Sequence, residues 1–174
     1  ICVASWSGNA NCRFKTSCVR CTPSSPNFVV AAFSRDDATM TLIVAIKCEN
    51  GVVVGADGAA TYGAMGTPTV RQPTRKLSLY FSRVIVGVSG PVGLGQRIAD
   101  EARKLWSENV LSKDPVTSTS AGVMLRERFW THIGGEMQIA GVARGVLDGL
   151  AVQSALTSTV VALPVKNVPT LIQF

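Results

Sequence analysis

Thr41 heads the stretch of this chain whose residue types are best suited to chemistry, the segment TLIVAIKCENGVVVGAD that ends at Asp57. Because Thr41 directly follows Met40, a chain that begins at Met40 and loses this methionine would start with threonine. An N-terminal threonine carries a hydroxyl nucleophile and an α-amine, whose ordinary pKa of about 7.7 to 8.0 lets it accept a proton near neutral pH. One residue could then supply both the nucleophile and the base of an acyl-transfer reaction.

A β-hairpin is predicted to bring an acidic side chain to Thr41. Two apolar runs lie on either side of Asn50-Gly51, a dipeptide that is typical of tight hairpin turns. The strands of a hairpin run antiparallel, so the end of the second strand lies beside the start of the first. We therefore expect the carboxylate of Asp57 and the hydroxyl of Thr41 to share one site.

Several blocks of the sequence, taken in order, resemble the proteasome β-type subunits of the N-terminal-nucleophile hydrolases, and most closely the small proteasome homologues of β-proteobacteria. The blocks are TLIVAIKCENGVVVGADGAATYGAMG, RQPTRKLSLY, RVIVGVSGPVGLGQRI and, more loosely, GGEMQIAGVARG and VQSALTSTVVALPV. Ordered blocks at compatible spacing are stronger evidence than any single motif. The resemblance runs from Met40 to the last residue and implies an α/β (α+β) fold, the αββα four-layer sandwich in which two β-sheets lie between helix layers.

The resemblance implies catalytic roles for four residues. Thr41 corresponds to the catalytic threonine and Asp57 to the acid of the second strand. Lys76 corresponds to the lysine that opens the third strand, and Gly90 to the glycine whose backbone N–H faces the oxyanion. An ammonium held by a carboxylate favours the alkoxide form of a nearby hydroxyl, and a glycine N–H can stabilise a tetrahedral intermediate. The reaction implied is attack on an amide, an ester on Thr41 and hydrolysis by water.

The same resemblance assigns a pocket for the substrate side chain that precedes the scissile bond. The matching residues are Ala60, Thr61, Thr74, Ser78, Val88 and Val92. They are small or uncharged, which favours apolar substrate side chains. One departure is that Gly58 and two alanines follow Asp57, where many family members have a basic pair. The segment from Thr61 to Lys76 is rich in Gly, Pro and Thr and is predicted to be a loop.

Residues 1–39 match nothing in the family and are predicted to be translated upstream sequence, so the family domain would cover residues 40–174. Four of the five cysteines lie in the first 21 residues, which sets this segment apart in composition. The pair Cys18 and Cys21 lacks a second Cys or His pair at zinc-binding spacing, so we expect no metal site. The family continues past the position of Phe174 into a Gly-Ser-Gly loop and further elements, so the domain is expected to be incomplete at its C-terminal end.

The middle of the chain predicts two more strands and a helix. The strands are Leu77–Leu79 and Val84–Val88. From Leu94 the apolar residues follow helical spacing as far as Val110, which predicts an amphipathic helix of about four turns. Asp114-Pro115 is expected to end it.

A second, longer helix is predicted to start at a cap formed by Ser118 or Ser120 and to run as far as Val146. Four large side chains occur at helical spacing in the two helices, and core or helix–helix contacts are predicted for them. They are Trp106, Phe129, Trp130 and Met137. The glycine-rich turn before the first helix lacks the third glycine of a dinucleotide fingerprint and the lysine of a phosphate loop, so no cofactor is expected.

Charge and hydropathy argue against two classes of partner. The chain has a net charge of +6, but residues 41–174 hold 13 Lys and Arg against 9 Asp and Glu without a basic run, so no nucleic-acid partner is expected. No apolar run is long enough to span a bilayer, and no signal peptide is visible. The resemblance implies a cytoplasmic homo-oligomeric ring that cleaves protein and peptide substrates, with a regulatory ATPase that the sequence does not identify. A non-catalytic ring or scaffold subunit and a small-molecule amidase of the same nucleophile class stay open as alternatives.

Overall fold

Two four-stranded antiparallel sheets, a two-stranded sheet and three helices form the described part of the chain in a computed structural model. The structure describes residues 2–7, 27–33, 42–48, 51–62, 70–113, 117–144 and 157–174. The strands are β1 (Cys2–Ser7), β2 (Asn27–Phe33), β3 (Leu42–Cys48), β4 (Gly51–Ala56), β5 (Ala59–Tyr62), β6 (Val70–Pro73), β7 (Leu77–Tyr80), β8 (Val84–Ser89), β9 (Ser158–Val165) and β10 (Val168–Gln173). The helices are α1 (Val92–Ser107), α2 (Val110–Lys113) and α3 (Ser118–Arg144).

The predicted hairpin is present as β3 and β4 at the centre of the first sheet, which has the strand order β1-β4-β3-β2. Both outer strands come from residues that precede Met40, since β1 pairs with β4 and β2 pairs with β3. Cys48, the last residue of β3, is disulfide-bonded. The predicted domain boundary at residue 40 stays a prediction.

The register of this hairpin corrects the predicted turn by one residue. Gly51 is the first residue of β4 and pairs with Cys48, so it belongs to the strand, and residues 49 and 50 lie outside the described part. Alternate side chains of the two strands set this register. Ile43 opposes Ala56 and Ala45 opposes Val54, and these four side chains are buried in the core. A shift by one residue would turn these apolar side chains away from the core.

The second sheet has the strand order β10-β9-β8-β7 and confirms the two predicted strands, each of which runs one residue further than expected. A tight turn joins β9 to β10 through Lys166 and Asn167, which have φ values of 50° and 65°. Positive φ at both central residues is the geometry that matches the twist of a hairpin.

One core cluster lies between the two large sheets and contains Ile43 from β3, Leu77 from β7 and Ile85 from β8. The sheets approach closely at Gly87, where a Cβ atom would lie 3.0 Å from the Leu77 side chain and 3.3 Å from the Ile43 side chain. A second core cluster lies between the second sheet and the helices, with Ile98, Leu105, Leu125 and Val161 among its buried members. The described residues thus give an α+β arrangement of two sheets and one helix layer, and the second helix layer of the sandwich stays a prediction.

The first predicted helix ends earlier than expected. α1 stops at Ser107, and Val110 belongs to the short α2. Asn109 separates the two helices because it adopts the left-handed conformation, with a φ of 64°. Asparagine tolerates this conformation better than most residues do. Asp114-Pro115 lies outside the described residues.

The predicted cap of the second helix was wrong by one residue. Thr117 occupies the cap position, because its hydroxyl accepts a hydrogen bond from the Ser120 N–H at 3.1 Å. The Ser120 hydroxyl in turn accepts one from the Thr117 N–H at 3.1 Å, so both residues satisfy the first turn in the reciprocal manner of a capping box. α3 ends at Arg144, and Val146 lies outside the described residues.

Two further expectations are corrected. The segment from Thr61 to Lys76 is not only loop, because β5 pairs with β6 in an antiparallel ribbon whose strands contain the β-formers Thr61, Tyr62 and Val70. Of the large helix side chains, Phe129 is buried, whereas Trp130 is 64% exposed and is not among the buried core residues. Adjacent positions of a helix face different directions, so only one of this pair can point into the core. None of the described helices combines the length and the hydropathy that a membrane span requires.

Candidate active site

A short ion pair between Asp57 and Lys76 lies at the end of the β3–β4 hairpin. The Lys76 Nζ donates to both carboxylate oxygens of Asp57, at 2.9 Å to Oδ1 and 2.7 Å to Oδ2. The Lys76 side chain is only 8% exposed and that of Asp57 is 31% exposed. Charge-assisted bonds of this length hold the ammonium in one place, and the partial burial reduces screening by solvent.

The hairpin positions Asp57 through two hydrogen bonds with Leu42. The Asp57 N–H donates to the Leu42 carbonyl at 3.1 Å, which continues the antiparallel pairing by one residue. The Leu42 N–H donates to Asp57 Oδ1 at 2.9 Å. One carboxylate therefore binds both the lysine ammonium and the backbone of the residue that follows Thr41. Thr41, the predicted nucleophile, lies outside the described residues.

Two backbone hydrogen bonds near the start of β7 position Lys76. Its carbonyl accepts a hydrogen bond from the Val88 N–H at 3.2 Å, which extends the β7–β8 pairing. Two residues earlier, the Thr74 N–H donates to the Gly58 carbonyl at 2.9 Å and ties this segment to the chain just after Asp57. These hydrogen bonds join the end of β4 to the start of β7, where the side chains of Asp57 and Lys76 meet.

Gly90 occupies the turn from β8 into α1 and is exposed. Its φ of 127° lies in a region that residues with a Cβ rarely adopt, so this turn favours glycine. Since Val88 pairs with Lys76, Gly90 lies at the same end of the β7–β8 pair as the lysine. The structure therefore places Asp57, Lys76 and Gly90 at neighbouring strand ends.

The predicted pocket residues fall in two places. Ser78, directly opposite Val86, and Val88 lie on the face of the second sheet that the helices cover, and Val92 is the first residue of α1. Val88 approaches α1 so closely that a Cβ on Gly95 would lie 3.1 Å from it. Val88 and Val92 therefore flank Gly90.

The other pocket candidates lie in the segments that follow Asp57 and precede Lys76. Thr74 is half-buried and precedes Lys76 by two residues. Ala60 and Thr61 belong to β5, where they pair with Gln72 and Arg71. Their backbones therefore follow Asp57 into the two-stranded ribbon.

Sequence reasoning gave no role to Thr157, which lies at this same strand end. Its hydroxyl donates a hydrogen bond to the Ser89 carbonyl at 2.8 Å, across 68 positions of sequence. No local pattern signals such a contact, because Thr157 simply precedes an apolar strand. The contact with Leu42 was likewise not expected, since it involves the backbone of an ordinary apolar residue.

Comparison with known proteins identifies the family of this chain. A family model for a proteasome subunit matches residues 38–141, which is more than half of the sequence and includes Thr41, Asp57, Lys76 and Gly90. The chain therefore belongs to the proteasome subunit family. Searches of the curated proteins and of the solved structures found no match.

Proposed function

We propose that this chain is a threonine-type peptidase subunit of a self-compartmentalising, proteasome-like ring. The observation that carries the proposal is the Asp57 carboxylate, which binds the nearly buried Lys76 ammonium and also the N–H of Leu42. Leu42 is the next residue after Thr41, so the charged pair lies within one residue of the proposed nucleophile. Membership of the proteasome subunit family supports the same assignment.

In the proposed reaction, Thr41 is the amino-terminal residue after removal of Met40, and its α-amine accepts the proton of its hydroxyl. The Lys76 ammonium stabilises the developing alkoxide, and the Asp57 carboxylate holds this ammonium in place. The alkoxide attacks the carbonyl carbon of a peptide bond, and the Gly90 N–H donates to the resulting oxyanion. The α-amine of Thr41 passes the proton that it accepted to the leaving amine product. Water then hydrolyses the ester on Thr41.

The proposed pocket accepts an apolar side chain before the scissile bond. Its lining residues are Ala60, Thr61, Thr74, Ser78, Val88 and Val92. None of them carries a charge, so a charged substrate side chain would lose its hydration without gaining a partner.

Assembly into a closed homo-oligomeric ring of the cytoplasm, close to the β-proteobacterial proteasome homologues, completes the proposal. Family membership suggests assembly with other subunits. Two large apolar side chains seven residues apart on α3, Val123 and Trp130, are 51% and 64% exposed. Residues at this spacing share one face of a helix, which is then available to a neighbouring subunit. A regulatory ATPase that feeds substrates would be a further partner.

Labelling with an electrophilic peptide epoxyketone tests this proposal. The protein is expressed from its native gene, its intact mass and first residue are determined, and the labelled residue is mapped by mass spectrometry. We expect a chain that starts at Thr41 and carries one adduct on this residue, because the reagent needs both the hydroxyl and the free α-amine. The Thr41→Ala variant is the matched control and should stay unlabelled.

The outcomes separate the alternatives. A chain that starts at Thr41, forms rings and takes no adduct is a scaffold subunit. An adduct on a small oligomer that cleaves simple amides but not peptides indicates an amidase. A chain that keeps Ile1 in the native host would contradict the proposed nucleophile altogether.

A further inference from the structure

The peptide unit that joins Ser89 to Gly90 is held from one side by Thr157. In the β8–β9 pair, Ser89 opposes Ser158, so the next position of the register would place Gly90 opposite Thr157. The backbone pairing ends with Ser89 and Ser158, and the Thr157 hydroxyl adds a side-chain hydrogen bond to the Ser89 carbonyl at 2.8 Å.

This contact and the last pair of the β8–β9 ladder together fix the direction of the Gly90 N–H. The Ser89–Gly90 peptide is trans, and a planar trans peptide directs its carbonyl and its N–H to opposite sides. Holding the carbonyl on Thr157 therefore points the N–H away from Thr157. Among the described residues, none accepts a hydrogen bond from this N–H, so the N–H is available to a ligand.

The Ser89 side chain does not orient the Ser89–Gly90 peptide. The Ser89 hydroxyl is buried and has no hydrogen-bond partner among the described residues, so it does not anchor the peptide. Gly90 itself has a φ of 127° and no side chain, and glycine has more backbone freedom than any other residue. The Thr157 hydroxyl is thus the side-chain contact that supports the peptide plane before Gly90 beyond the last backbone pair of the sheet.

We propose that Thr157 is a positioning residue for the Gly90 N–H, which it aims at the oxyanion and polarises through the shared peptide unit. A hydrogen bond to a carbonyl strengthens the N–H of the same peptide as a donor, since bonds in a chain polarise one another. The inference rests on the proposed function, because it assigns the partner of the Gly90 N–H in that site. Thr157 contacts no reacting atom and acts only through the Ser89–Gly90 peptide.

The test replaces the Thr157 hydroxyl by a methyl group in the protein expressed from its native gene. Thr157→Val should lower kcat for a fluorogenic peptide by about fivefold to tenfold with KM changed less than about twofold, since complete loss of such a donor costs roughly 100-fold to 1000-fold. Thr157→Ser keeps the hydroxyl and should restore most of the rate. A loss that serine does not restore, or a change confined to KM, overturns the inference.

Thr159→Val is the matched control on the same strand. The Thr159 hydroxyl is buried without a partner among the described residues, so the same change removes no hydrogen bond there. We expect the kcat of this variant to equal that of the unmodified protein. If Thr157→Val behaves like Thr159→Val, Thr157 does not position the oxyanion donor.

The backbone ¹⁵N chemical shift of Gly90 separates failure of the inference from failure of the proposed function. If the unmodified protein neither hydrolyses peptides nor takes an adduct on Thr41, the proposed function is wrong. The role of Thr157 is then judged by the Gly90 amide signal, which should move from its position in the unmodified protein in Thr157→Val but not in Thr159→Val, because the hydrogen bond to the carbonyl polarises the N–H of the same peptide. Equal positions of this signal in the two variants would overturn it.

Discussion

At the scale of single residues, Asp57 is the side chain on which the candidate site depends. It accepts hydrogen bonds from Lys76 and from the backbone of Leu42, and its own N–H binds the Leu42 carbonyl. Asp100, on the exposed face of α1, differs from Asp57 because its ion pair with Arg103 lies on the surface. There the hydrogen bond and the charge of Arg103 lower the pKa of Asp100, but the pair lies on the exposed surface and contributes little to stability.

We predict that Asp57→Asn lowers the stability and abolishes most of the activity. The amide preserves the shape of the side chain but removes the negative charge that lies 2.7 Å from the Lys76 ammonium, whose side chain is 8% exposed. We expect a loss of about 1 to 3 kcal/mol in the free energy of unfolding, measured by urea denaturation. We also expect a fall of at least about 100-fold in kcat.

Asp100→Asn is the matched control, because it removes a carboxylate from an exposed pair and should change neither quantity. A carboxylate whose pKa is lowered by folding adds stability above its unfolded pKa and loses it as the pH falls through the lowered value. Any contribution of Asp100 should therefore vanish only in acid. An Asp57→Asn protein with full stability and activity would remove Asp57 from the site.

At the scale of elements, the close approach of the two sheets fixes the site, because it brings the end of β4 to the start of β7. Gly87 lies at this contact, and its neighbours Leu77 and Ile43 are both fully buried. An added Cβ would lie 3.0 Å from Leu77 and 3.3 Å from Ile43, so these side chains would have to shift to admit it. The separation of the sheets, and with it the Asp57–Lys76 contact, depends on the missing Cβ at Gly87.

We predict that Gly87→Ala destabilises the fold by about 1 to 3 kcal/mol, since the added methyl overpacks a filled core. Gly134→Ala on α3 should do the opposite, because a Cβ there meets nothing within 4 Å and alanine favours a helix by about 1 kcal/mol. Urea denaturation midpoints at constant m-value measure both changes. Equal shifts of the same sign in the two variants would show that the sheet contact is not as tight as described.

At the scale of the whole molecule, the described surface holds large apolar side chains that the core does not use. Trp130 and Val123 share one face of α3. Phe81 is 54% exposed in the turn between β7 and β8. A subunit that assembles with others needs apolar surface of this kind, whereas isolated exposed residues are common in any protein.

We predict that Trp130→Gln weakens assembly without unfolding the subunit. The Trp130 side chain is mostly exposed, so the thermal unfolding temperature of the dissociated subunit should stay nearly unchanged. Sedimentation velocity should show a shift from large assemblies to small species. Phe81→Gln, an apolar-to-polar change at another exposed site, is the control and should assemble normally. Intact assemblies of Trp130→Gln would exclude this helix face from the subunit contacts.

The sequence by itself determined those elements of secondary structure that depend on residues close together in the chain. The hairpin of β3 and β4, the strands β7 and β8 and the two main helices follow from alternation, helical spacing and turn residues close in sequence. The nearness of Asp57 to the start of β3 also followed, because a hairpin returns its end to its beginning. The helix ends were placed less well, since the left-handed Asn109 and the reciprocal cap of Thr117 and Ser120 depend on backbone geometry.

Only the tertiary structure decided what joins distant segments. The approach of Lys76 to Asp57 needs the second sheet to pack on the first, and the sequence suggested it only through family resemblance. The ribbon of β5 and β6, the exposure of Trp130 and the bond from Thr157 to Ser89 had no local signal. Each depends on which surfaces meet when the apolar faces of the sheets and helices are buried. The hydrophobic effect is not directional, so the types of the individual residues do not specify which surfaces meet.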